Sequence, residues 1–230
     1  MKGIVMKNLI IVGSNGSLGK GVTDVLIKKD FEKIYLIDRK FDDANNSSNV
    51  IQLVVNDLSS ENEVIKAFEK ISFESHNEYF MFSTVGGFAG GSSLDETEIE
   101  MFDKMISLNT KISFLLAKHF VKKVKNCLGG SICFTSAFTS FNPESNKGLY
   151  GLSKSALNYL VETLALENKE NKISVNAIAP FVLDTKENRE WIEKKSDMVT
   201  PENIGIFVSS LFENYKIVSG NIIKLPATLN

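Results

Sequence analysis

Cysteine and histidine are scarce in this 230-residue chain, at two residues each. Cys127 and Cys133 fall on segments read below as a helix end and a strand, so they offer neither a disulfide framework nor a CxxC metal pair. That usage fits a reducing cytosol. His76 and His119 lie far apart, with no cysteine or acid at ligand spacing, which argues against a metal centre. Long apolar runs are also missing: the nearest approach, residues 79–85, stops at glycines, so no membrane span is expected. The start of the chain offers only Leu9-Ile10-Ile11-Val12 before Gly13, too short for a signal-peptide core. A cytoplasmic protein is the expectation. An excess of either charge is lacking too, since 26 Lys and Arg stand against 28 Asp and Glu, for a net charge of −2. Without a basic stripe carrying interleaved aromatics, nucleic-acid binding is not expected, and a small-molecule partner becomes the better reading.

What is present is a core. Forty-three percent hydrophobic and 23% charged residues suit a soluble globular chain. Short apolar, β-branched runs recur at residues 8–12, 33–37, 50–55, 79–84, 131–135, 173–178 and 221–225. Most are apolar on successive residues, as strands of a sheet covered on both faces would be. Helical spacing of apolar residues lies between them at 18–29, 61–71, 96–125 with a break near Asn109, 149–167 and 201–212. Alternating strands and helices predict an α/β, doubly wound (Rossmann) fold. Its seven-stranded, mainly parallel sheet carries helices on both faces. No Pro- or Ser-rich linker divides the chain, so residues 1–230 are expected to form one domain. The polar run 42–49 reads as a surface loop.

After the first expected strand comes Gly13-Ser14-Asn15-Gly16-Ser17-Leu18-Gly19, then a helix. Glycines there permit a tight turn, a close backbone approach to a pyrophosphate and helix packing on the sheet, while the helix N-terminus attracts the anion. Asp38, at the end of the second strand, suits the ribose hydroxyls of an adenosine and repels a 2′-phosphate, favouring NAD(H). Arg39 beside it would pair with that phosphate instead, so NADP(H) stays open.

Tyr150-Gly151-Leu152-Ser153-Lys154 places a phenol and an amine one helical turn apart on one face. There Lys154 would lower the phenol pKa and hold the nicotinamide ribose, while Tyr150 would donate a proton. Chance alone gives about half of one such spacing in a chain of this composition, so context must carry it.

In this context the chain resembles the short-chain dehydrogenases/reductases. The features run in the family's order: the glycine loop, Asp38, Asn109 in Ser107-Leu108-Asn109-Thr110, Ser136 in Phe134-Thr135-Ser136-Ala137, Tyr150 and Lys154, then Val175-Asn176-Ala177-Ile178-Ala179-Pro180. The resemblance implies an NAD(P)H-dependent oxidoreductase. In that reading Asn109 holds a water that relays protons and Ser136 orients a carbonyl. Asp57 and the adjoining Leu58 meet the adenine, and Val85, Gly86 and Gly87 line the cofactor. Pro180, Val182 and Thr185 stand on the nicotinamide side.

Two departures stand out. The family's Ser lies 13 residues before the Tyr, which here is Ala137. Either a one-residue insertion restores Ser136, or that hydroxyl is absent. Phe181 stands where the family has a glycine after Pro180, and would narrow the nicotinamide side of the cleft. Together with the run Val85-Gly86-Gly87-Phe88-Ala89-Gly90-Gly91 and the tail Leu183-Asp184-Thr185, Asn188-Arg189 and Trp191, these departures resemble the dihydropteridine reductase-like branch. That branch lacks the helix Asn that Asn109 supplies. The implied substrate is small and planar, a quinonoid dihydropteridine for example, or a carbonyl compound, with Phe88 and Trp191 available for stacking. The competing reading is a catalytically idle dinucleotide-binding regulator, against which intact Tyr150 and Lys154 argue. The apolar helices near 102–121 and 149–166 predict a homodimer or homotetramer.

Overall fold

The computed structural model describes residues 5–190 and 198–226. Seven strands form one parallel sheet: β1 (Lys7–Val12), β2 (Lys33–Asp38), β3 (Val50–Val54), β4 (Glu78–Ser83), β5 (Gly129–Thr135), β6 (Ile173–Pro180) and β7 (Ile222–Leu225). Their order is β3-β2-β1-β4-β5-β6-β7. The helices are α1 (Ser17–Leu26), α2 (Glu61–Glu69), α3 (Ile99–Ile106), α4 (Ile112–Val124), α5 (Gly148–Glu167) and α6 (Pro201–Glu213).

The unbroken apolar runs mark the central strands. β4, β5 and β6 are buried at every residue, and β1 everywhere but Lys7. One face is covered by α2, α4 and α5, where Phe68, Leu116, Phe120, Leu157 and Val161 pack on Ile10, Met81 and Ile132. The other is covered by α1 and α6, with Val22, Leu26, Val208 and Phe212 against Leu9, Phe80 and Cys133. Burying both faces is what parallel β-α-β crossovers demand. The outer strands depart from that rule: Val54 in β3 is 55% exposed, and no residue of β7 is fully buried.

Between α3 and α4 the chain does not break at Asn109. Ser107–Lys111 forms a π-helical turn that joins the two helices into one rod. Such a turn inserts an extra residue and re-aims the side chains around it, and it occurs often at functional sites.

The sheet order reverses between β1 and β4, which pair in register from Lys7 with Glu78 to Val12 with Ser83. The loops leaving these neighbours therefore diverge to opposite sides of the sheet and open a crevice at their carboxyl ends.

Candidate active site

A groove of about 1120 Å3 lies in that crevice. Its floor is the turn after β1. A Cβ on Gly19 would collide with the Gly13 carbonyl oxygen, so only glycine lets α1 start this close to the strand end. The Thr84 hydroxyl, from the loop after β4, donates to the Val12 and Gly13 carbonyls at 3.1 and 2.8 Å and fixes the two loops to each other. Asp38 closes the far end, its two oxygens accepting from the Asn15 and Arg39 backbone N–H groups at 2.8 and 2.7 Å. The remaining lone pairs of that carboxylate stay available to hydroxyl donors. Asp57 is held by the Ser59 backbone and hydroxyl at 2.8 and 2.7 Å, which keeps its carboxyl below the usual range.

Gly13, Asn15, Gly16, Ser17, Leu18 and Gly19 all line this groove, as do Asp38, Arg39, Asp57, Leu58, Val85 and Gly86. Ser14 does not: its side chain is buried, and its hydroxyl has no partner among the described residues. Lys40, Asn56, Lys104 and Ile112 line it as well, and sequence reasoning had no motif that points to them. The glycine cradle, the helix N-terminus above it and the acid at its end fit a nicotinamide adenine dinucleotide.

At the other end, side chains converge on Gly86. A Cβ placed there would lie 2.8 Å from Lys154 Nζ and 2.9 Å from Asn109 Oδ1. Lys154 projects from α5 into the interior, 3% exposed, and its amine donates to the Thr135 carbonyl at 2.7 Å. Burial pulls that amine down to about 7. Tyr150, one turn earlier, is half-buried, and its ring centroid lies 6.0 Å from Lys154 Nζ. Burial first, and the Glu144 carboxylate second, push its phenol up to about 12. This reverses the expected lowering: a desolvated amine that is itself close to neutral exerts little field on the phenol, so burial wins. Phe88 leans edge-on against Tyr150, centroids 5.1 Å apart at 76°, while remaining 63% exposed.

Asn109, fully buried, clamps the loop after β4. Its Oδ1 accepts from the Gly87 N–H and its Nδ2 donates to the Gly87 carbonyl, both at 2.9 Å, and Nδ2 also reaches Ser153 Oγ at 3.0 Å. Ser153 in turn donates to the Tyr150 carbonyl at 2.8 Å, so the π-helical turn, the loop and α5 are tied together. Ser136 is directed elsewhere. Its hydroxyl donates to Asn158 Oδ1 at 2.5 Å and lies 3.5 Å from Ser140. Ala137, next along, is buried and carries no hydroxyl. Pro180 is buried at the end of β6, and the Val182 carbonyl accepts from the Val199 N–H at 2.8 Å. The Thr185 hydroxyl oxygen accepts from the Asn188 N–H at 3.4 Å. Phe181 stacks edge-on against Phe138, centroids 5.5 Å apart. Trp191 lies outside the described residues.

The model of the short chain dehydrogenase family matches residues 7–196, and the chain belongs to that family. Among individual proteins, it is 28% identical to the dihydropteridine reductase of Dictyostelium discoideum over 188 residues, 81% of this chain and 78% of that one. It is 34% identical to human dehydrogenase/reductase SDR family member 4 over 117 residues, half of this chain and 42% of that protein, so the match spans under half the relative's length. The solved structure of ElxO with NADP bound has the same fold, with a TM-score of 0.82 at 22% identity over 96% of this chain and 97% of that one.

Between pH values of about 7 and 10.5, Lys154 is protonated in the unfolded chain but not in the folded one. The unfolded state then binds more protons, and this residue makes stability rise with pH across that window. Urea melts over that range are expected to show the slope in the wild type and to lose it in Lys154→Met. An identical slope in both proteins contradicts the burial of the amine.

Proposed function

We propose that the protein is an NAD(P)H-dependent oxidoreductase reducing a small planar or carbonyl substrate, with Tyr150 as the proton donor. The observation that carries this reading is the meeting of Lys154 and Asn109 at Gly86, which lines a groove shaped for a dinucleotide, with the Tyr150 ring 6.0 Å from the Lys154 amine. The dinucleotide, when bound, supplies the hydride. The first turn of α1 holds its pyrophosphate, Asp38 the adenosine ribose, Asp57 and Leu58 the adenine, and Lys154 the nicotinamide ribose. Thr185 serves the carboxamide.

A phenol near 12 is protonated at neutral pH, the state a proton donor requires. An amine near 7 exchanges protons readily at that pH, so Lys154 is suited to reload Tyr150. Asn109 keeps Gly86 and Gly87 in the shape that leaves room for the amine. The Ser136 hydroxyl is engaged by Asn158 rather than left free as a carbonyl clamp. That favours a conjugated acceptor, which Tyr150 protonates without one, and the exposed Phe88 ring offers such an acceptor a flat surface. The similarity to a dihydropteridine reductase supports the same substrate class.

Tyr150→Phe is expected to lower kcat by about 10²- to 10⁴-fold toward a quinonoid dihydropterin or a quinone while leaving NADH affinity nearly unchanged. Undiminished turnover overturns the proton-donor role. NADH is the proposed preferred cofactor, because Asp38 sits where a 2′-phosphate would meet a carboxylate. Asp38→Ala is expected to shift the ratio of NADH to NADPH affinity by about tenfold toward NADPH, and an unchanged ratio removes that preference. The exposed Phe102, Phe114, Tyr159 and Leu166 on α3, α4 and α5 support a homodimer, with a tetramer as its extension. Light scattering at micromolar concentration is expected to give at least twice the chain mass, and a monomer contradicts it.

A further inference from the structure

Ser17 opens α1, so its hydroxyl and the N–H groups around it stand at the positive end of the helix dipole. A carboxylate from a distant part of the chain is already there. Ser17 Oγ lies 3.3 and 3.2 Å from the two oxygens of Glu187, in the loop between β6 and α6. The Glu187 backbone N–H, with the nearby Thr185 and Ser17 hydroxyls, holds that carboxylate below the usual range. Glu187 thus engages the Ser17 hydroxyl on the pyrophosphate side of the proposed dinucleotide path.

We infer that Glu187 is a tether displaced by the cofactor: its carboxylate holds Ser17 in the place of the dinucleotide and must leave when the pyrophosphate arrives. The reason is charge. A carboxylate and a pyrophosphate competing for one helix N-terminus repel each other, and each needs the donors the other holds. Releasing Glu187 frees the loop after β6 from α1, so dinucleotide binding and the position of that loop are coupled. The loop has its own internal clamp, Arg189 bound to Asp184 through two contacts at 2.5 and 3.0 Å. Glu187 is exposed, so its replacement leaves the fold intact. Because the carboxylate competes with the ligand, removing its charge strengthens binding, whereas removing a residue that contacts the ligand weakens it.

This inference rests on the reading of the groove as a dinucleotide site, and calorimetry separates the two. NADH and ADP are titrated into the wild type, Glu187→Gln and Glu187→Ala. ADP carries phosphates but no carboxamide, and so reports the Ser17 contact alone. Both variants are expected to bind both ligands more tightly, with Kd lower by about three- to fivefold, the scale of an exposed charge contact. An unchanged or higher Kd for NADH in both variants overturns the tether while leaving the dinucleotide reading standing. If none of the three proteins takes up either ligand, the dinucleotide reading fails and the tether fails with it.

Discussion

The amine of Lys154 reaches an interior position where its hydrogen bond goes to the Thr135 carbonyl and where burial has drawn its pKa to about 7. Placing an amine there costs stability unless the surroundings are shaped for it. Much of the local architecture answers that demand. Gly86 omits the Cβ that would strike the amine, and Asn109 fixes Gly86 and Gly87 through both polar groups of Gly87. The π-helical turn at Ser107–Lys111 is what presents Asn109 to that loop. Ser153 carries the restraint on to the backbone of Tyr150. The phenol is thereby held beside an amine of variable charge rather than a fixed cation.

The sheet topology decides where this chemistry sits. Because β1 and β4 are neighbours although β2 and β3 come between them in the chain, the glycine turn and the loop after β4 are side by side. Thr84 bonds them directly. The start of α1 and Gly86, which lies against the Lys154 amine, therefore line one continuous groove, and Glu187 contacts its Ser17.

Strands were legible because their apolar residues are consecutive, and the helices because theirs repeat at helical spacing; observed bounds fall within three residues of the expected ones except around α3 and α4. There, periodicity cannot distinguish a break from a π-helical turn, since both shift the apolar face by a fraction of a turn. Tyr150, Lys154 and the glycine loop stood out because a local spacing carries their geometry. Ser136 stayed undecided for the opposite reason: its partner Asn158, on α5, is 22 residues away. Glu187 left no local signal, because its partner Ser17 is 170 residues away. The direction of the Tyr150 shift was misread because burial, which a sequence does not display, outweighs a nearby amine.

The most direct test of the central claim is a crystal structure with NADH bound. The account predicts the pyrophosphate at the N-terminus of α1 and the nicotinamide ribose hydroxyls within hydrogen-bond reach of Lys154 Nζ, with the Tyr150 hydroxyl facing the same ring. Nicotinamide density remote from Lys154 and Tyr150, or a pyrophosphate bound away from the first turn of α1, contradicts it.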